Sequence, residues 1–294
     1  MLHRVTRAAV ILVAIACSSS SPTLEPTPKR SDGSATPALP RTTSGRWVLV
    51  PEHSPRSYVS STTTFLELTS DGTSIRDSIF TLIDFTISTT ADPDSPKLAG
   101  TISKYFIQAG NRIEQPDLSL VLPLSFVGHF ENGRLLLDSA GKEQVTNPAR
   151  CTNSTRGVLT SIQRNFIVPP AILTTGLSWT DSLTVPACSG SIPLTLSIRR
   201  AYTVAGEINR DGHRVLLIQR TEETVAAGEG AQGQHRVTLN SRGSGLTSLY
   251  FDYTTGDLVS LQGEQRSHVE VTSSGRVQRF TQLVHEKIAL RSDS

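Results

Sequence analysis

The chain has 294 residues, 37% of them hydrophobic and 5% aromatic, with 28 Lys and Arg against 26 Asp and Glu for a formal net charge of +2. A balance this close to neutral lacks the long-range pull on phosphates that nucleic-acid binders use, which argues against a nucleic-acid partner.

The chain opens on "MLHRVTR", with Arg4, Arg7 and no acid, followed by the apolar run Ala8 to Ala16. A membrane-spanning helix needs about 20 apolar residues, so this run is too short to span. A basic start, a short apolar core and small residues before the cut make a secretory signal over residues 1–16. Its removal takes Arg4 and Arg7 away and leaves the mature chain without net charge. The tetrad Ala14-Ile15-Ala16-Cys17 resembles the lipobox of bacterial lipoproteins, with Ala14 where that motif prefers Leu. The resemblance implies a diacylglyceryl thioether and an acylated amine on Cys17, so that a membrane is a partner through N-terminal acyl chains. The competing reading is a plain secretory signal with an incidental cysteine. One acyl chain holds a protein only marginally, at about 0.8 kcal/mol per buried CH₂, whereas three hold it firmly. Ser18 follows Cys17 where an Asp would retain such proteins at the inner membrane, by the sorting habit of that family. The expected place is therefore the bacterial cell envelope, on the outer membrane facing the periplasm.

Residues 17–45 hold the cysteine and a Ser, Thr and Pro-rich stretch with almost nothing to bury. Such composition cannot repay the entropy of ordering and reads as a disordered tether. From Arg46 onward helical periodicity is nearly absent, and alternation with β-branched residues dominates. "SYVSSTTTFLELTSDGTSIRDSIFTLIDFTIS" reads as strands turned at Asp71-Gly72, and "LPLSFVGHFENGRLLLDS" as a hairpin turned at Asn132-Gly133. "NFIVPPAILTTGLSWTDSLTVPAC" carries Pro169-Pro170, which excludes a central strand and leaves a connector or edge segment. Further hairpins turn at Asp211-Gly212, Thr255-Gly256 and Ser274-Gly275. The fold class is all-β: one curved antiparallel meander over residues 46–294, a half-barrel or two similar β sheets, with a weak echo between residues 46–150 and 185–290.

With Cys17 assigned to the lipid, Cys151 and Cys188 remain in an oxidising compartment, which favours a disulfide. The loop they close would gain up to about 4 kcal/mol in the chain-entropy picture. The alternative, a two-ligand metal site, lacks a neighbouring His.

"PPAILTTGLSWTDS" and the closing run from "GHRVLLIQRTEETV" to "YFDYTTGDLVSLQGE" resemble uncharacterised bacterial envelope lipoproteins, in which a G-x-x-W segment precedes a β meander ending on a Y-F-D-x-x-T-G hairpin. Those proteins are similar in architecture to the half-barrel lipoprotein carriers LolA and LolB. The resemblance implies a sheet wrapped around an apolar cavity, without catalytic residues; no helices to plug the open face are evident here. It implies binding of a lipid or an acylated, lipoprotein-like ligand. The alternative is a structural or protein-interaction module that recruits an envelope partner through sheet edges and loops.

Candidate chemistry is sparse. "SAGK" matches S-x-x-K at Ser139 and Lys142, but it follows a strand and contains a turn glycine, whereas the motif needs a helix. "GLSWT" lacks the second glycine of a nucleophile elbow. His53, His129, His213, His235, His268 and His285 never pair at metal-binding spacing. Glu222-Glu223 and Asp92 to Asp94 read as surface turns, and the latter run fails as a calcium loop. No catalytic residue, cofactor or metal is expected. The apolar side of the sheet is expected to carry Phe65, Leu68, Ile79, Leu82, Phe85, Phe106, Phe126, Leu135 and Leu137 in the first half. In the second it is expected to carry Val215, Leu217, Leu249, Phe251, Leu258, Val269, Val271 and Phe280. A filled core and an open cavity give the same one-dimensional pattern.

Overall fold

Alternation of side chains along extended backbone builds nearly everything in this chain. The computed structural model describes residues 45–49, 54–70, 73–90, 97–110, 112–114, 122–141, 143–144, 151, 155–189, 192–210, 212–232 and 234–291. The signal, Cys17 and the tether up to residue 44 lie outside them, as do the turn Asp71-Gly72, His53, Asp92 to Asp94 and Lys142.

In chain order the strands before the helix are β1 (Arg46–Val48), β2 (Arg56–Ser70), β3 (Thr73–Thr89), β4 (Lys97–Ala109), β5 (Arg112–Glu114), β6 (Leu124–Glu131), β7 (Arg134–Ala140) and β8 (Glu143–Gln144). Helix α1 (Thr155–Asn165) interrupts them. Then come β9 (Ile172–Thr174), β10 (Ser178–Ser189), β11 (Ile192–Arg210), β12 (His213–Gln232), β13 (His235–Phe251), β14 (Leu258–Ser273) and β15 (Arg276–Leu290). Strands β1 and β9 pair by themselves; the other 13 form one antiparallel, nearly closed sheet. Its order is β10-β11-β12-β13-β14-β15-β2-β3-β4-β6-β7-β8, with β5 beside β4. The two echoing stretches meet where β15 pairs β2, from Phe280↔Leu68 to Leu290↔Tyr58, so one continuous sheet runs through both.

Turn chemistry sets the register. Asn132 (φ 52°) and Gly133 (φ 76°) both adopt the left-handed conformation that a two-residue hairpin turn matching the strand twist requires. Long strands then run from a near end, at Arg56, His213, Phe251 and Leu290, to a far end, at Gln232, His235, Ser273 and Arg276.

The two ends of the sheet, β10 at one and β7 with the two-residue β8 at the other, are joined by side chains. The Arg134 guanidinium donates to the Ser182 carbonyl, Leu136 packs on Leu183, Val185 and Ile198, and Cys151 is disulfide-bonded to Cys188. By the two-residue period of a strand, Pro186 faces the same way as the Ser182 carbonyl, toward the open edge. Its missing N–H withholds a donor from any foreign strand. The Pro-rich segment thus leads into an edge strand.

The core lies on the concave face of the near half. Tyr58, Phe85, Ile102, Phe126, Leu135, Leu216, Ile218, Leu249, Phe251, Leu261 and Ile288 bury themselves there around α1, which contributes Val158, Leu159, Ile162 and the following Phe166. Phe166 meets Tyr58 and Phe85 edge-on at 5.3 and 5.7 Å between ring centroids. The helix corrects the sequence reading, which saw nothing to plug the open face. The spacing 158, 159, 162, 166 keeps its apolar residues on one side.

The assigned apolar side also needs correction at five positions. Strand alternation puts Phe65, Leu82 and Phe106 on the convex face, because their neighbours Tyr58, Ile83, Phe85 and Ile102 face inward. Val215 and Leu217 are buried, but on the convex side with Ile208 and Tyr250, while Leu216 and Ile218 take the core positions.

Candidate functional site: the concave face

Directly beneath α1 the concave face changes from apolar to charged. Arg200, Arg220 and Glu222 are buried there, at 2%, 0% and 2% exposure. Charges this deep persist only when paired and hydrogen-bonded. The helix supplies the partners. Arg164 forms an ion pair with Glu222, and the Arg164 carbonyl accepts from Nη1 of both Arg200 (2.7 Å) and Arg220 (3.1 Å). A carbonyl near the helix C-terminus, where partial negative charge collects, is thus met by two guanidiniums from the sheet. Asn165 Nδ2 and Ser161 Oγ donate to Glu286 Oε1 at 2.7 and 2.8 Å. Arg200 binds Asp181 through two nitrogens, at 2.6 and 2.8 Å, and the Tyr202 hydroxyl donates to the same carboxylate at 3.3 Å. Arg220 also reaches Asn165 Oδ1, Thr247 Oγ1 and Glu222.

Burial pushes the Glu222 carboxyl up, but the guanidiniums of Arg164 and Arg220 outweigh it and hold the group below the ordinary glutamate value. Burial, helped by the Asp181 carboxylate and opposed by Arg200 and Arg220, pushes the Tyr202 hydroxyl well above its usual range. Glu222 and Asp181 each pair with a guanidinium, Glu286 is held by Ser161 and Asn165, and the layer fixes the helix to β10, β11, β12 and β15.

Beyond the charged layer, toward the far end, the concave face is lined differently. The inward positions are Thr62, Thr64 and Leu66 on β2 and Ile79 and Thr81 on β3. On the facing strands they are Gly243 and Gly245, Gly263 and Gln265, and Gln282 and Val284. All are half-buried, whereas their counterparts in the near half are fully buried. Water therefore reaches this part of the concave face. Gln265 Nε2 donates to Thr224 Oγ1 at 2.8 Å. The far end closes on a small apolar cluster of Ile192, Val237, Leu239, Val269 and Val271, with Phe280 and Leu194 against it. Between cluster and charged layer lies a half-buried recess where Thr64, Gln265 and Gln282 mix with Leu66, Ile79 and Val284, and where Ser267 and Thr247 pack over Gly243 and Gly263.

The residues singled out from sequence are scattered. Ser139 stands on β7 with no histidine in contact. His129 is bound to Asp138 at 2.9 Å on an exposed surface, His235 to Ser274 at 2.7 Å and His285 to Glu264 at 3.6 Å. His268 contacts Thr281 at 3.4 Å, and His213 opens β12 in an exposed position. Among the described residues no three His, Cys, Asp or Glu side chains gather as metal ligands. Glu222 and Glu223 are not a surface turn. They sit mid-strand on β12 with opposite faces, Glu223 in solvent and Glu222 in the charged layer. Alternation from Ile218 through Arg220 and Glu222 to Thr224 was the available signal for a charged inward stripe.

No protein-family model matches the chain, and no curated protein matches it. It aligns with solved structures of outer-membrane proteins. One is OccK2 (OpdF) of Pseudomonas aeruginosa, at 8% identity and TM-score 0.24, over 84% of this chain and 100% of that one. Another is OmpT of Vibrio cholerae, at 9% identity and TM-score 0.21, over 81% and 99%. A mutant of the Rh. blastica porin aligns at 10% identity and TM-score 0.21, over 80% and 99%. Scores of this size carry no more than a shared succession of long antiparallel strands.

The expected lipid-binding half-barrel is corrected here. The near half of the concavity is filled by α1, and the open half mixes threonine, glutamine and glycine with Leu66, Ile79 and Val284 over a charged floor. An acyl chain there would strand polar groups against hydrocarbon. The convex face is equally telling: Arg199, Glu223, Arg242, Glu264, Arg266, Arg279 and Lys287 stand exposed along β11 to β15. An Arg or Lys facing lipid at the bilayer midplane costs about 2–4 kcal/mol, so these strands are built for water on their outer side.

Proposed function

We propose that this protein is an exported, non-enzymatic binding module that takes a neutral, hydroxyl-rich ligand of the saccharide class in the far half of its concave face. The observation that carries the reading is the contrast between inward residues: buried and apolar around α1, half-buried in the far half, where Thr62, Thr64, Thr81, Gln265 and Gln282 stand among Leu66, Ile79 and Val284. Threonine hydroxyls and glutamine amides exchange hydrogen bonds with sugar hydroxyls in both directions. The charged layer is internally paired, so it offers a floor without a net demand for a counter-ion.

The test is calorimetric titration of the full chain with three probes: maltotriose, the trimer of N-acetylglucosamine, and palmitate. The expected result is saturable binding of at least one sugar and none of palmitate. A variant Thr64→Leu, which replaces an inward hydroxyl with a bulkier apolar side chain, should weaken sugar binding about tenfold or more. Absence of binding by both sugars counts against the reading, and so does sugar binding that Thr64→Leu leaves unchanged.

We further propose that the module works in the bacterial cell envelope, tied by acyl chains on Cys17 to the periplasmic face of the outer membrane. The signal-like residues 1–16 and the lipobox-like tetrad support this. Replacing Cys17→Ser should release the protein from the membrane fraction of an expressing bacterium and remove the mass of the lipid.

A further inference from the structure

The near rim holds a second recess, at the opposite end of the strands from the first. A cavity of about 240 Å³ lies between the start of β2, the end of β15 and the turn from β13 to β14. Its walls carry Arg56, Arg291, Asp252 and Asp257, with Val259 and Leu290 as apolar lining. Drug-sized ligands occupy about 300–1,000 Å³, so this volume selects something smaller.

The turn is held rigid by its own hydrogen bonds. The Asp252 N–H donates to the Asp257 carbonyl at 2.9 Å and the Gly256 N–H to the Asp252 carbonyl at 2.7 Å. The Thr254 N–H and hydroxyl both donate to Asp252 Oδ1, at 2.7 and 2.6 Å, and the Thr255 backbone bonds the same carboxylate. Burial raises the Asp252 carboxyl, but bonds from Thr254 and from the Thr255 backbone outweigh it and keep the group ionised at neutral pH.

On the opposite wall the Arg291 backbone N–H donates to the Ser57 carbonyl at 2.8 Å, which anchors the residue. Its guanidinium binds Asp84 through Nη2 at 2.7 Å and is 51% exposed, so most of its five N–H donors stay open. Arg56 and Asp257 neutralise each other at 2.7 Å. Arg291 already has Asp84 beside it, and with that carboxylate counted the five charges sum to −1. The Asp252 carboxylate suits an ammonium and the open donors of Arg291 suit a carboxylate, so a ligand carrying both signs matches both walls.

We propose that this rim cavity binds a small zwitterion of the amino-acid class, its carboxylate on Arg291, its ammonium on Asp252 and its side chain against Val259 and Leu290. The experiment is amide NMR of the isotope-labelled full chain, titrated with L-leucine, acetate or methylammonium and read at Gly256, Asp257 and Arg291. Leucine should shift these amides saturably, with a dissociation constant on the order of 1 mM. Acetate and methylammonium, each half of the ligand, should not saturate. Asp252→Asn keeps the acceptor that the turn needs and Arg291→Gln keeps a donor, yet each should weaken leucine about tenfold or more. Arg279→Gln, in an exposed ion pair on the convex face, should change nothing. Three results overturn the proposal: no saturable shift with leucine, either half-ligand binding as tightly as leucine, or both rim variants binding like the parent.

Discussion

The near and far halves of the concave face share strands, twist and pairing, yet one is a core and the other a recess. In the near half, inward positions on β2, β3 and β14 are Tyr58, Ile83, Phe85 and Leu261, and α1 fills the space between them. A few residues further along the same strands they are Thr62, Thr64, Thr81 and Gln265, and water reaches them. The charged layer is the border. It anchors the helix and stops the apolar core from extending. Stability should therefore be concentrated in the near half and its border, while the far half is free to meet a ligand.

The sharpest way to break that contrast is at the border. Glu222→Ala leaves Arg164 and Arg220 buried without their carboxylate, and stripping one partner from a buried pair costs about 3–5 kcal/mol. Glu223→Ala, one residue along and in solvent, should stay within about 0.5 kcal/mol. Urea unfolding of the two variants measures the difference directly. In the near half, Leu135→Ala removes a fully buried side chain and should cost about 2–5 kcal/mol by the same assay. Removing the seam disulfide with Cys151→Ser and Cys188→Ser together should cost about 2–4 kcal/mol.

Acid gives a graded version of the first test. Glu222 titrates lower in the folded chain than in the unfolded one. Its ion pairs therefore contribute fully above the unfolded value, about 4.3. That contribution fades as pH falls from there through the lower folded value, because the unfolded chain takes up the proton first. Between about pH 4.3 and that lower folded value, the parent should lose stability more steeply than Glu222→Gln.

Much of the architecture was legible because it depends on local rules. Asn132-Gly133, Thr255-Gly256 and Ser274-Gly275 each sit in a turn, and the strands between them follow from alternation and β-branching. The helix was not legible, since Val158, Leu159 and Ile162 are separated by Thr, Ser and Arg-rich positions that look like loop. The side of the sheet was misread for a physical reason. Hydropathy marks the inward face only where that face is dry. On β2 and β3 the recess side mixes Thr62, Thr64 and Thr81 with Leu66 and Ile79 while the convex side carries Phe65, Phe80 and Leu82, so hydropathy did not separate the two faces. Glu222 was hidden by the same assumption, that neighbouring charges belong to solvent. The recess was out of reach because it depends on how far α1 reaches into the barrel, which no local pattern records.

The smallest expected effect on stability falls in the recess. Thr64 is half-buried, directly opposite Ile79 and Val284, and Thr64→Val keeps its shape while deleting the hydroxyl. Valine suits a strand as well as threonine does, so unfolding should move by no more than about 0.5 kcal/mol. The same hydroxyl is one of the groups offered to a sugar. A neutral hydrogen bond contributes about 0.5–1.5 kcal/mol, so sugar affinity should fall by roughly two- to tenfold. The opposite pattern, a large loss of stability with sugar binding intact, would place Thr64 in a packed interior and make the far half a second core.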